Sequence, residues 1–127
     1  MATSTARMTP PWETSFRGLK AKMWDADLAA TEHGFDRLTP ADLRMVAAFL
    51  EALARAVPDV DALADLALGP DGTFGIVLDL PRGTVTVEKA PGRPYFEAVA
   101  WDAPTGAIVA WPTLDLHAAI DRIVARA

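Results

Sequence analysis

Four carboxylates on predicted strands are the side chains best placed for chemistry in this sequence: Asp79, Glu88, Glu97 and Asp102. Two carboxylates facing each other across a glycosidic bond can act as general acid and base in glycoside hydrolysis. Each of the four, however, fits the outward side of its strand or a turn, where water solvates it. We therefore predict that they are surface groups, and we assign no catalytic residue.

Patterns for metal ions and nucleophiles are weak as well. The chain has no cysteine, and its two histidines, His33 and His117, lie far apart in the sequence. Asp59, Asp61 and Asp65 stand in "DVDALAD", which lacks the sixth-position glycine and the closing glutamate of a calcium loop. No serine lies in a nucleophile-elbow motif. The sequence thus predicts neither a metal site nor a cofactor, and it favours a protein that is not an enzyme.

Glycines and prolines cluster at 69–72, 81–83 and 91–94. These are the residue types that hairpin turns need, because glycine adopts positive φ and proline fixes φ near the turn value. The stretch "GPDGTFG" is followed by a predicted strand and not by a helix, so it lacks the helix N-terminus that cradles a phosphate. We interpret the three clusters as turns between strands.

The apolar spacing before these turns predicts two helices. From Ser15 onward, apolar residues recur at steps of three and four, and Gly34 is a suitable C-terminal cap. The second helix is expected to begin with Thr39 as N-cap and Pro40 at the first helical position. Pro58 is expected to end it.

The rest of the chain alternates in the manner of strands. After a turn of helix in "DVDAL", strands are predicted at 65–68, 73–80, 84–89, 95–101 and 107–111, with Pro112 ending the last. Asp115 is expected to begin a final helix. The fold class is therefore α+β: an antiparallel β-meander of about four to five strands with N-terminal helices and one C-terminal helix.

Composition and charge limit the function classes. The chain has 127 residues, of which 51% are hydrophobic and 23% charged, as expected of one globular domain at 15–127 behind a flexible N-terminal arm at 1–14. The net charge of −5 opposes direct nucleic-acid binding. No apolar run is long enough to span a bilayer. The absence of cysteine fits a reducing compartment, so we expect a cytoplasmic protein.

Aromatic residues near the end of the predicted sheet are more numerous than a one-sided sheet requires. Tyr95, Trp101 and Trp111 could form apolar anchors on one sheet face, because tryptophan is enriched at interface hot spots. Alternatively, helices cover both sheet faces and these residues belong to a three-layer core. The sequence leaves both explanations open.

The order of motifs resembles that of a loose group of small uncharacterised bacterial proteins. The shared features are the Trp-Asp of "MWDADL", a capped helix ending in "ARAVPDV", a Pro-Asp-Gly turn into a sheet with "VTVE", and a last helix. The resemblance covers residues 24–124. This chain departs from the group where a glycine-rich loop follows the Trp-Asp, since 26–32 is predicted to be helical here. Some members lie beside toxin-like or defence genes, so the resemblance implies partner binding and carries over no catalytic residue.

Three hypotheses follow. The leading one is a non-enzymatic protein-binding module, such as an inhibitor, an antitoxin-like or immunity-like protein, a chaperone or an accessory subunit. Tyr95, Trp101 and Trp111 would anchor the partner, and Asp59, Asp61 and Asp65 would steer a basic partner toward them. The alternatives are a small-molecule binder or enzyme with a sheet–helix pocket, and a self-assembling phage or secretion-system subunit. Homo-oligomerisation is left open.

Overall fold

A computed structural model describes residues 9–127 of the chain, which fold into three α-helices and a five-stranded antiparallel sheet. The helices are α1 (Pro11–Glu32), α2 (Pro40–Ala56) and α3 (Leu116–Val124), and a short 3₁₀ turn (Val60–Leu63) follows α2. The strands are β1 (Ala64–Leu68), β2 (Phe74–Leu80), β3 (Gly83–Lys89), β4 (Phe96–Asp102) and β5 (Ile108–Leu114). The α+β prediction, with N-terminal helices, a meander and one C-terminal helix, is confirmed.

Helix α1 begins earlier than the sequence suggested. Pro11 occupies its first turn, and the ring of Trp12 lies 6.5 Å from that of Phe16, while the guanidinium of Arg55 sits 3.8 Å from the Trp12 centroid. Residues 11–14 are thus helical, and the helix starts four residues before the predicted start at Ser15, because proline is well tolerated at a helix start. Residues 1–8 of the predicted N-terminal arm lie outside the described residues.

Helix α2 forms as its capping residues predicted. The Thr39 side chain accepts a hydrogen bond from the Asp42 amide at 3.2 Å, and Pro40 stands at the first position. The buried side chains of α2 are those of one stripe, including Val46, Phe49 and Leu53. This stripe fixes the face that α2 presents to the sheet.

The strands pair in sequence order, β1-β2-β3-β4-β5, with every neighbour antiparallel. The β2–β3 turn needs Gly83, whose φ is +151° and whose Cα lies so close to Trp101 that an added Cβ would collide with the Trp101 carbonyl oxygen. The prediction that Pro112 ends β5 is wrong. The strand continues to Leu114 through a bulge opposite Glu97, and proline is tolerated there because β5 is an edge strand.

All three helices pack on the same side of the sheet. One continuous core joins buried helix residues such as Leu19, Phe49 and Ile123 to the alternate strand residues that point toward them, such as Ile76 and Val87. The opposite face, called the outer face below, has no helix against it in the described chain. The three-layer explanation is therefore wrong. None of the helices within 9–127 has both the length and the apolar character needed to cross a bilayer.

Candidate functional site

The outer face carries a cluster of large apolar side chains in solvent. We call Val77, Val99, Trp101 and Ile108 the outer patch; their exposed fractions are 43%, 47%, 46% and 73%. Val77 is aligned with Val99 through Thr86, and Trp101 pairs directly with Ile108. Side chains in register on one face of adjacent strands are direct neighbours. The outer patch therefore lies on one face of the sheet, with members on β2, β4 and β5 and with Thr86 of β3 between Val77 and Val99.

Trp111 is not part of that surface. It pairs with Ala98, whose side chain is buried on the helix side of the sheet. The guanidinium groups of Arg122 and Arg126, at the end of α3, lie 5.0 and 5.6 Å from its ring centroid. Trp111 thus helps to attach α3 to β5 through cation–π contacts. The prediction that Trp101 and Trp111 share one sheet face is wrong, because the β4–β5 register places them on opposite faces.

Tyr95 lies just before β4, at the other end of that strand from Trp101. It is half-buried, and its hydroxyl accepts a hydrogen bond from Arg93 at 2.5 Å. Six residues of extended chain separate the two aromatic residues, roughly 20 Å. Tyr95 and Trp101 are therefore too far apart to form one compact anchor.

The three aspartates predicted to steer a partner are not equivalent. Asp59 is exposed in the turn after α2, whereas the Asp61 carboxylate is 3.3 Å from the Lys22 ammonium and packs against Gly18 of α1. Only Asp65 lies on the outer face, opposite Val77. Asp61 contributes to the contact between α1 and the 3₁₀ turn, so its charge is largely compensated.

The four carboxylates considered as a general acid and base lie in two kinds of location, the outer face and the β4–β5 hairpin. Asp79, Glu88 and Glu97 lie exposed on the outer face, and Glu88 is directly opposite Glu97. Asp102 is half-buried at the β4–β5 hairpin, where it accepts a hydrogen bond from the Thr105 hydroxyl at 2.6 Å. A shallow depression on the outer face runs beside Glu88 and Glu97 and is also lined by Thr86 and Val99.

One charged pair is buried on the other side of the sheet. The Lys89 ammonium donates to the Asp42 carboxylate at 2.8 Å and to the Ala90 carbonyl at 2.7 Å, and the Gly92 amide donates to Asp42 at 3.1 Å. Burial opposes ionisation of Asp42, but the hydrogen bonds from Lys89 and Gly92 outweigh it and hold the pKa of Asp42 below its ordinary value. This network connects the start of α2 to the β3–β4 loop.

The remaining residues considered for chemistry stand apart. His33 lies exposed at the end of α1, and His117 lies exposed in the first turn of α3. Within the part of the chain that the structure describes, no three histidine, aspartate or glutamate side chains come together as a metal site would require.

A comparison of the chain with protein-family models, curated proteins and solved structures finds no match in any of the three. The resemblance to the small bacterial group therefore stays a prediction.

Sequence reasoning did not identify Val77 as a surface residue. It belongs to β2, where Ile76 and Leu78 beside it are fully buried and Val77 is 43% exposed. The pattern that could have identified it is in β3, where valine alternates strictly with threonine or glutamate and so indicates which face of the sheet is exposed to solvent. Carrying that parity across the β2–β3 turn places Val77 on the same face as Thr86.

Proposed function

We propose that this chain is a non-enzymatic module that binds a larger protein through the outer face of its sheet. The observation that carries the proposal is the outer patch, a group of exposed apolar side chains on a face that no other described segment covers. Exposed apolar clusters are costly in water and commonly mark interaction sites. Trp101, which pairs directly with Ile108 in the patch, belongs to a residue type enriched at interface hot spots.

The proposed mechanism is occlusion or stabilisation of the partner. The sheet is a rigid platform because its helix side is packed into a continuous core, so binding would require little reordering of the backbone. An inhibitor, an antitoxin-like or immunity-like protein, a chaperone and an accessory subunit would all use such a platform. The absence of cysteine supports a place in a reducing compartment such as the cytoplasm.

A capture experiment with matched tryptophan variants tests the proposal. Tagged wild-type protein and the Trp101→Ala, Ile108→Ala and Trp24→Ala variants are incubated with lysate of the source organism, and retained proteins are identified by mass spectrometry. Trp24 is the control because it is 50% exposed, like Trp101 at 46%, but lies on α1. We expect a stoichiometric prey that is lost with Trp101→Ala and Ile108→Ala and kept with Trp24→Ala.

The captured protein is then purified and titrated against the same variants by calorimetry. Circular dichroism confirms that each variant is folded. A prey that binds all variants equally would contradict the proposal. Loss of an oligomer of this chain in Trp101→Ala, with no foreign prey, would support the structural-subunit hypothesis instead.

A further inference from the structure

The outer face is acidic as well as apolar. Beside the outer patch it carries four carboxylates: Asp65, Asp79, Glu88 and Glu97. Among residues 9–127, no lysine or arginine lies within ion-pair distance of any of the four. The five strands contain a single basic residue, Lys89, and it is fully buried on the helix side. Outside the strands, the exposed Arg93 is close enough to Glu97 to interact with it electrostatically, although it forms no ion pair with it. The outer face therefore carries an excess of negative charge that is only partly compensated.

The most unusual feature of this face is the direct pairing of Glu88 with Glu97 across β3 and β4. Like charges directly opposite each other destabilise a sheet. Both side chains are exposed, so burial and packing do not require two glutamates here. A cation placed between them would remove the repulsion and gain two charge-assisted contacts.

The arrangement also identifies the kind of occupant. Stacking the outer face of one copy on that of another would bring four carboxylates toward four more, and Arg93 beside Glu97 would compensate only part of that charge. A nucleic acid would be repelled for the same reason. A segment with apolar side chains and lysine or arginine is complementary to the face in both respects.

Resting on the proposed function, we infer that the outer face binds a basic, apolar segment of its protein partner, with a lysine or arginine seated between Glu88 and Glu97. Glu97 and Trp101 are four residues apart on β4, about 13 Å. An extended partner segment running along the strand would therefore carry its basic residue about four positions from its largest apolar residue. A helical segment would need a separation of about nine positions, because the rise per residue is about 1.5 Å.

Selection from an unbiased library tests this inference. Phage displaying random 12-residue peptides are selected on the immobilised wild-type protein. Trp101→Ala protein is present in solution as a competitor, because it removes peptides whose binding does not depend on the outer patch. We expect the retained peptides to be enriched in lysine and arginine, with a bulky apolar residue at one of the two spacings above.

The strongest peptide is then synthesised and titrated by fluorescence anisotropy against Glu88→Gln/Glu97→Gln protein. The control is Asp25→Asn/Asp121→Asn, which removes two exposed carboxylates from α1 and α3 and so changes net charge equally. We expect the dissociation constant to rise about five- to tenfold for the glutamate variant, as two partly exposed charge contacts would give. It should change little for the control, and the difference should shrink in high salt.

The outcomes separate this inference from the proposed function. Retained peptides that depend on Trp101 but are neutral or acidic would contradict the inference that the partner segment is basic. Equal binding to the Glu88→Gln/Glu97→Gln protein would contradict it as well. Both outcomes would leave the proposed binding face in place. If no retained peptide depended on Trp101, the proposed function itself would fail. Concentration-dependent dimerisation of the free protein, abolished by Trp101→Ala in sedimentation, would assign the face to a second copy and overturn the inference.

Discussion

Glu88 and Lys89 are adjacent in β3, and their side chains point to opposite faces of the sheet. Lys89 is fully buried, and its ammonium is paired with Asp42 and bonded to the Ala90 carbonyl. Glu88 is exposed and faces another glutamate. The Lys89 charge is compensated by an ion pair and contributes to the stability of the fold. The Glu88 charge faces a like charge and does not contribute to that stability.

The same contrast holds for the apolar residues. Val85 and Val87 of β3 point to the helices and are almost fully buried, while Val77 and Val99, aligned on the other face, remain more than two-fifths exposed. A sheet that needed only to fold would place polar residues at those outer positions. The helix side thus holds the fold together, whereas the outer side keeps exposed apolar residues that no other described segment covers, as the proposed binding role requires.

The largest expected effect comes from removing the buried cation. Lys89→Met leaves the Asp42 carboxylate buried without its ion-pair partner, so we expect a loss of about 3–5 kcal/mol in the free energy of unfolding. Denaturant titration followed by circular dichroism measures it. The neighbouring Glu88→Met, on the outer face, should cause no such loss and should change stability by no more than about 1 kcal/mol. Similar losses for both variants would remove the contrast between the faces.

Acidification should weaken the same pair without mutation. Because the folded-state pKa of Asp42 is lowered, its contribution to stability is complete above the unfolded-state pKa of about 3.9 and is lost as the pH falls through the lower folded-state value. The free energy of unfolding should therefore fall more steeply between about pH 5 and about pH 2 in the wild type than in Asp42→Leu/Lys89→Met. Equal slopes in the two proteins would show that the pair is not responsible for the acid sensitivity.

The two tryptophans of the sheet should respond differently to truncation. Trp111→Ala removes a half-buried ring and its contacts with two arginines of the α3 end, and we expect a loss of about 2 kcal/mol. Trp101→Ala removes an exposed ring and should cost no more than about 1 kcal/mol. Thermal unfolding of both variants measures the ranking. A greater loss for Trp101 would mean that the outer patch stabilises the fold, which would weaken the binding interpretation.

Local sequence signals were sufficient for the elements of this fold. Thr39 and Asp115, which were predicted to begin helices, each accept a capping hydrogen bond. The turn clusters at 69–72, 81–83 and 91–94 lie at the connections between consecutive strands. Strict alternation in β3 defined the two faces. These features depend on residues close together in the sequence, so they can be read without knowing the tertiary structure.

Signals that depend on distant residues were not sufficient. The faces of Trp101 and Trp111 follow from the pairing of β4 with β5 between the hairpin and the bulge, where Trp101 pairs with Ile108 and Trp111 with Ala98, rather than from either strand alone. The pairing of Lys22 with Asp61 joins residues 39 positions apart, so Asp61 could not be recognised as compensated. For the same reason, the opposition of Glu88 and Glu97 became visible only with the strand register.

The smallest expected effect is the one most specific to the outer face. Glu88→Gln removes the repulsion from Glu97 while conserving shape, so stability should rise by about 0.2–1 kcal/mol at low salt. Asp79→Asn is the matched control because it removes one outer-face charge opposite a threonine, Thr84, and should give a smaller gain. Denaturant titrations at low and high salt measure both. A gain confined to Glu88→Gln and screened by salt would show that the wild-type sheet retains a small destabilising charge pair on its uncovered face, as a cation-binding role would require. Equal gains for both variants would attribute the effect to net charge alone.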